Sequence, residues 1–156
     1  MDGEVIGINT AIASPHSGSN TGVAFSIPIN LVKRILDQLL DRGSVTRGYL
    51  GLQVAQSFEA ADAAALGLNR AQGALIETVY SETPAEAAGL RARDVILEVD
   101  GVAVRNENHF INHISGLQAG RHVRLSVWRE RRTLTLEAVV GDWTTAQVRF
   151  KRDREK

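Results

Sequence analysis

The sequence contains no cysteine, and this excludes disulfide bonds and thiolate metal sites. It also carries no net charge, since 18 basic and 18 acidic side chains cancel. That balance gives no general attraction to nucleic acid or to an anionic membrane surface. No apolar run approaches the length of a membrane span, so we expect no membrane insertion. The first residues are acidic and polar, which predicts that this chain holds no signal peptide. What remains is an ordinary globular composition, 44% hydrophobic and 23% charged over 156 residues.

The first predicted unit, residues 1–45, consists of a hairpin and a helix. Two β-branched, apolar runs, 4–12 and 23–28, flank a polar loop and predict two paired strands. Residues 31–40 carry their aliphatic side chains on one helical face, with Asn30 as the predicted N-cap and Gly43 as the C-terminal stop. A hairpin with one helix is too small to be stable alone. We therefore expect this unit to pack on another body or on a second copy, which makes a homo-oligomer one expected state.

The second predicted unit, residues 46–142, has the pattern of a compact α+β domain. Apolar runs and turn residues predict strands over 52–55, 74–79, 94–99, 102–104, 123–128 and 133–139. Helices are predicted over 58–68 and 85–88, the latter with Thr83 as its N-cap. A third helix follows from the stripe of Phe110, Ile114 and Leu117. Residues 143–156 are charged and poor in apolar side chains, so a disordered tail is expected there.

The stretch from Arg47 to Val54 is the candidate binding element. Gly51 has no Cβ, so the backbone can turn sharply there and a ligand can approach closely. Successive N–H groups in such a turn can converge on an anion, and the apolar neighbours would form the wall of a pocket. An anion site beside an apolar pocket and a strand edge is typical of the capture of a peptide C-terminus by strand addition. An ordinary glycine turn into a buried strand is the alternative reading of the same residues.

Other residue patterns that carry chemistry are weak in this sequence. None of the nine serines lies in a glycine-flanked elbow, so no nucleophile and no catalytic residue are predicted. His109 and His113 are spaced i, i+4 and could offer two zinc ligands, but no third ligand is evident and a solvated helix face is favoured. Residues 17–22 look like a phosphate-binding loop but lack the Lys-Ser/Thr ending and a following helix. We therefore expect neither a metal site nor a cofactor.

A combination of motifs resembles the bacterial HtrA/Deg family of trypsin-like serine proteases. Three motifs resemble that family's PDZ domain: Pro84–Leu90, Asp94–Leu97 and Val99–Gly101. Tyr49–Leu52 stands where the family has its carboxylate-binding loop. The earlier part of the chain is similar to the last two strands of the family's protease barrel, at residues 2–10 and 22–28, and to the helix leading to the PDZ domain, at 31–40. The resemblance covers roughly residues 2–140.

This resemblance implies an α+β fold, a PDZ domain built as a small, partly open β-barrel with two to three helices, preceded by a hairpin and helix remnant of the protease barrel. It implies that the N–H groups of Leu50, Gly51 and Leu52 hold a peptide carboxylate. The strand edge would come from Leu52, Gln53 and Val54, and the side-chain pocket would be lined by Tyr49, Leu52, Val54, Ile111 and Ser115. The implied partners are apolar peptide C-termini and unfolded protein segments. The implied compartment is the periplasm or cell envelope, and the implied process is protein quality control.

The sequence departs from the family in two places. The family usually has Gly-Asp where this chain has Arg93-Asp94, and the Gly-Asn-Ser-Gly-Gly-Pro motif with the nucleophile is absent, as are the strands with its histidine and aspartate. We therefore expect this chain to be a non-catalytic, peptide-binding fragment of an HtrA-like protease. One alternative is part of an active serine endopeptidase whose catalytic portion lies upstream. Another is a structural adaptor whose groove is occupied by its own chain.

Overall fold

The structure is a computed structural model that describes residues 3–12, 24–144 and 146. The chain divides into two compact units, Met1–Val45 and Thr46–Lys156. The loop predicted between the first two strands lies wholly outside the described residues, and most of the predicted tail also does.

The first unit is a two-stranded hairpin followed by one helix. Strand β1 (Gly7–Ile12) pairs antiparallel with β2 (Ala24–Pro28), and α1 (Ile29–Arg42) starts directly after it. Asn30 lies inside α1, so its prediction as the N-cap is wrong. The cap position is held by Pro28, whose φ of −59° leads straight from the strand into the helix. The helix ends as predicted at Gly43, which has a φ of +68° and donates its N–H to the Leu39 carbonyl at 2.9 Å.

Helix α1 carries a strongly one-sided apolar face that is largely open to solvent. Its leucines are exposed by fractions between 42% for Leu31 and 76% for Leu40. No helix in the described part of the chain is long and apolar enough to cross a membrane.

The second unit contains eight strands and three helices among its described residues. The strands are β3 (Gly48–Tyr49), β4 (Leu52–Val54), β5 (Ala74–Val79), β6 (Val95–Val99), β7 (Val102–Ala103), β8 (His122–Arg129), β9 (Arg132–Val139) and β10 (Gly141–Asp142). The helices are α2 (Ala60–Ala65), α3 (Pro84–Ala87) and α4 (Glu107–Ser115). The main sheet has the order β4-β5-β6-β8-β9 with β7 beside β6, every pair being antiparallel, while β3 and β10 pair separately. The predicted α+β fold is confirmed.

The core forms where the sheet meets α4. Phe110 and Ile114, one turn apart, are only 3% and 5% exposed, and they join Ile76, Ile96 and Leu125 of the sheet in one apolar cluster. This is the stripe that the sequence predicts, because residues four apart share a helix face. It fixes the rotation of α4, so the residues flanking the stripe are turned to the edge of the core.

Two elements differ from the sequence prediction. Helix α2 is shorter than the predicted 58–68. Its start is set by Glu59, which forms a reciprocal capping box with Asp62. Its end is followed by Gly67, which has a φ of +77°. The β3–β10 ladder is absent from the prediction, since strands of two residues are too short to show a period.

Candidate functional site

A groove of about 550 Å³ is lined by the loop before β4, by β4 itself and by α4. All eight residues predicted to bind peptide line this groove, and they are Tyr49, Leu50, Gly51, Leu52, Gln53, Val54, Ile111 and Ser115. Residues distant in the sequence thus meet in one place. The chemistry of the groove depends on how the loop presents its backbone.

The loop is held from behind through its carbonyl groups. The Leu50 carbonyl accepts the N–H of Ala85, in the first turn of α3, at 2.7 Å. The Gly51 carbonyl accepts the N–H of Tyr80 at 3.0 Å and lies 3.2 Å from the Thr83 hydroxyl. In a trans peptide the N–H points opposite to the carbonyl of the same plane. The N–H groups of Gly51 and Leu52 are therefore turned away from α3 and towards the groove.

The N–H of Leu50 is oriented by the β3–β10 ladder in the same manner. Tyr49 pairs with Gly141, and the Trp143 N–H donates to the Arg47 carbonyl at 3.0 Å one step further along. Because the hydrogen-bonding direction alternates along an antiparallel ladder, the Tyr49 carbonyl points towards β10. The Leu50 N–H belongs to the same peptide plane and therefore points away from β10. The N–H groups of Leu50, Gly51 and Leu52 thus take no part in the hydrogen bonds that hold the loop from behind. Three successive N–H groups in this arrangement can bind one anionic group.

Gly51 is required by this geometry for two separate reasons. Its φ of +84° lies in the left-handed region that side chains rarely adopt. A Cβ at this position would also overlap the Thr83 side chain, whose Oγ1 would lie only 2.8 Å away. Thr83 itself is 7% exposed, and its hydroxyl lies 2.6 Å from the Tyr80 carbonyl and accepts the Glu86 N–H at 3.4 Å. The predicted N-cap at Thr83 is confirmed, and the same residue supports the loop.

Strand β4 lies at one end of the main sheet. Gln53 pairs with Thr78 of β5. Because successive residues of a strand direct their N–H and C=O groups to opposite sides, those of Leu52 point to the outer side of β4, away from β5. Within the described residues no strand pairs with that side. An extended segment placed there would continue the sheet and bring its end to the Gly51 loop.

The apolar wall of the groove is built by β4 and α4. Leu52 and Val54 pack against the core, and Phe110 and Ile114 lie beneath the groove. Ile111 is 47% exposed, because it stands one position off the buried stripe of α4. An apolar ligand side chain resting on Ile111 would remove part of that surface from water.

Sequence reasoning missed three groove residues of note. Trp143, the first residue of the predicted tail, packs on Tyr49 with ring centroids 5.2 Å apart. Arg47 lies beside it, and Tyr80 donates its hydroxyl to the Gln53 side chain at 3.2 Å. Gln53 in turn donates to the Glu77 carboxylate at 3.0 Å. Of these, Trp143 had a detectable signal, because it is an aromatic residue four positions after the end of the apolar strand β9.

The departure at Arg93 is explained by the backbone. Arg93 adopts a φ of +72°, so the turn needs the conformation that glycine provides without cost. The adjacent Asp94 is 1% exposed, accepts the Arg91 N–H at 2.8 Å and receives two hydrogen bonds of 2.7 Å from Arg129. This pairing raises the pKa of Arg129 above its already high ordinary value. The turn lies outside the groove lining.

Among the residues that the structure describes, the polar side chains considered for catalysis or metal binding are not gathered into a site; the loop 17–22 and several of the nine serines lie outside that part of the chain. His109 and His113 have ring centroids 6.3 Å apart, and His109 Nδ1 accepts the Arg105 N–H at 3.3 Å. No group of three or more potential ligands occurs among the described residues. At the β6–β7 turn, the Arg124 N–H and then the Arg121 guanidinium lower the pKa of Asp100. That carboxylate secures the turn to β8.

The fold and the groove together define a class of peptide-recognition domain. Residues 48–140 match the PDZ domain family, and the chain belongs to that family. Over most of its length, the chain is 39% identical over 141 residues to a probable periplasmic serine endoprotease DegP-like protein of Brucella suis biovar 1 (strain 1330). It is 40% identical over 148 residues to the one of Halomonas elongata (strain ATCC 33173 / DSM 2581 / NBRC 15536 / NCIMB 2198 / 1H9). These alignments cover 90% and 94% of this chain but only 27% and 31% of the relatives, so the chain spans less than a third of their length.

Solved structures of HtrA-type proteases also resemble this chain. The HtrA-type protease AlgW with tripeptide matches with a TM-score of 0.76 and 33% identity, over 90% of this chain and 46% of that chain. The HtrA-type protease AlgW with decapeptide matches with a TM-score of 0.74 and 34% identity, over 90% and 42%. The predicted resemblance to the HtrA/Deg family is therefore confirmed.

Proposed function

We propose that this chain binds peptide C-termini and unfolded segments with apolar ends, by addition of a strand to β4. The terminal carboxylate accepts hydrogen bonds from the N–H groups of Leu50, Gly51 and Leu52. The last side chain rests on Leu52, Val54 and Ile111, with Tyr49 and Ser115 at the margin. The observation that carries this proposal is the fixing of the Leu50 and Gly51 carbonyls behind the loop, which turns consecutive amides towards an open strand edge.

Peptides are the ligand class that uses both features at once. A free carboxylate takes the amides, and the backbone of an extended chain takes the outer side of β4. Solved HtrA-type proteases that resemble this chain are described with a decapeptide and a tripeptide, which supports the same class of ligand here. An apolar end is favoured because Ile111 offers exposed apolar surface above a buried apolar floor.

Titration with a pair of peptides that differ at one group tests this proposal. A peptide that ends in Val or Phe as a free acid should bind, and its C-terminal amide should bind at least about tenfold more weakly, because a charge-assisted hydrogen bond contributes about 1.5–3 kcal/mol. Equal affinity for both forms would rule out the carboxylate loop and leave recognition of an internal strand.

The domain organisation proposed for this role is a barrel remnant at 1–45, a PDZ domain at 46–142 and a tail at 143–156. In the whole protein, an HtrA-like serine endopeptidase of the periplasm or cell envelope, peptide binding would deliver substrates for protein quality control or relay an activating signal. The periplasmic descriptions of the relatives support this setting. The present chain alone should not cleave casein, because it lacks the serine motif of the family. Cleavage by pure protein that a serine-directed covalent inhibitor abolishes would contradict that expectation.

A further inference from the structure

A second concave surface lies at the turn before β6 and the tip of the β8–β9 hairpin. It encloses about 480 Å³ and shares no lining residue with the peptide groove. Two turns far apart in the sequence contribute four arginines to it: Arg91, Arg93, Arg129 and Arg131. We refer to this surface as the arginine pocket.

The floor of the arginine pocket is rigid. Asp94 is buried and binds Arg129 through two hydrogen bonds of 2.7 Å, and Arg129 also donates to the Gly89 carbonyl at 2.7 Å. On the other side, the Trp128 indole N–H donates to the Leu66 carbonyl at 2.9 Å, which ties β8 to the end of α2. The pocket is therefore held open by bonds that do not involve the guanidinium groups of its other three arginines.

The charges of the arginine pocket are not balanced. Its two carboxylates are already paired, Asp94 with Arg129 and Glu130 with Arg132. The guanidinium groups of Arg91, Arg93 and Arg131 make no hydrogen bond or ion pair with any described residue. Three unpaired cations around one cavity favour an anionic ligand.

Two of these arginines occupy backbone positions that suit glycine. Arg93 has a φ of +72° and Arg131 a φ of +61°, both in the left-handed region. Glycine would adopt either conformation without strain. At Arg131 the positive φ belongs to the two-residue turn of the β8–β9 hairpin, in which Glu130 has a φ of +50°. At Arg93, a side chain kept at the backbone cost that glycine avoids supports a role beyond folding.

We propose that the arginine pocket binds a phosphate-bearing ligand, either a small soluble phosphate compound or the headgroup of a phospholipid. Guanidinium groups bind phosphate oxygens in a bidentate fork, and three of them around one cavity match a group with several acceptor oxygens. The Trp128 ring and the Leu66 side chain supply an apolar wall for the carbon skeleton of the ligand. This activity is separate from the proposed peptide binding.

The test uses the full chain and two probes. Inorganic pyrophosphate is titrated by calorimetry, and flotation is measured with phosphatidylcholine vesicles that contain phosphatidylglycerol. The informative variants are Arg93→Gly and Arg131→Gly, because each removes a guanidinium while relieving backbone strain. Arg124→Gln is the matched control, since it removes one exposed arginine from β8, five residues away from the pocket residue Arg129.

We expect Arg93→Gly to raise the midpoint of urea unfolding and to weaken probe binding by roughly tenfold, the effect of losing one charge-assisted hydrogen bond. Arg131→Gly should weaken binding similarly, and Arg124→Gln should change it less than twofold. Saturable binding of pyrophosphate would assign a soluble ligand, and binding to the vesicles alone would assign a lipid headgroup. The proposal is overturned if neither probe binds, or if binding survives Arg93→Gly unchanged while the stability rises. In that case the arginines mark only a strained turn.

Discussion

The replacement of Gly51 by alanine probes the carboxylate loop most directly, and the chain supplies its own control. Gly51 and Gly120 have the same φ of +84°. A Cβ at Gly120 would meet nothing within 4 Å, whereas a Cβ at Gly51 would overlap Thr83. Both substitutions therefore place a Cβ at the same unfavourable φ, and only Gly51→Ala adds a steric clash.

The expected magnitudes follow from that difference. A left-handed conformation costs a residue with a Cβ about 1–2 kcal/mol, so Gly120→Ala should lower the free energy of unfolding by about that amount. Overpacking in a fixed environment costs about 1–3 kcal/mol more, so Gly51→Ala should lower it by about 2–5 kcal/mol in total. For a domain of this size each 1 kcal/mol corresponds to roughly 4–8 °C in Tm.

Urea unfolding of the two variants measures this difference, since the midpoint falls while the slope stays constant for a pure stability change. Peptide titration then separates stability from binding. Gly51→Ala should weaken a free-acid peptide at least about tenfold under conditions where the protein is folded, because the loop must shift to relieve the overlap. Gly120→Ala should bind normally. If the two variants lost equal stability, the expected clash between a Cβ at position 51 and Thr83 would be refuted. If Gly51→Ala bound peptide normally, the assignment of this loop as the carboxylate site would be refuted.

Four further changes test other parts of the molecule. Ile111→Glu should weaken peptides with apolar ends while leaving the urea midpoint nearly unchanged, because this side chain is 47% exposed, and a large loss of stability would contradict that view. Asp94→Ala should destabilise the fold by about 3 kcal/mol or more, because it leaves Arg129 without its buried partner, and a loss below about 1 kcal/mol in urea would refute this. Asp100→Asn should lower Tm at pH 7, and the difference from wild type should vanish in acid. The pKa of Asp100 in the folded chain lies below its ordinary value of 3.8, so its stabilisation is present above that value and is lost as the pH falls through the folded pKa. The whole chain should self-associate more than residues 46–145 in light scattering, because α1 exposes a row of leucines, and a strictly monomeric whole chain would contradict this.

Much of the fold could be predicted from local patterns. The strand Ala74–Val79 has the predicted bounds, and α4 buries the predicted stripe of Phe110 and Ile114. These predictions succeed because a period of two or of 3.6 residues is set by backbone geometry within one segment. The prediction failed at Asn30, where the proline before the helix decided the start, and it missed the two-residue β3–β10 ladder. Both outcomes depend on neighbours that a periodic pattern does not encode.

The eight candidate groove residues were predicted from the sequence with the help of the family resemblance. In the structure all eight line one groove. Residue type and local spacing were enough to predict most of the longer elements, the turn at Gly51 and the apolar face of α4. The contact of Thr83 with Gly51 and the meeting of two distant turns in the arginine pocket became visible in the folded chain alone. The physical reason is that these contacts join residues far apart in the chain, and their distances are fixed by strand pairing and core packing and not by any local preference.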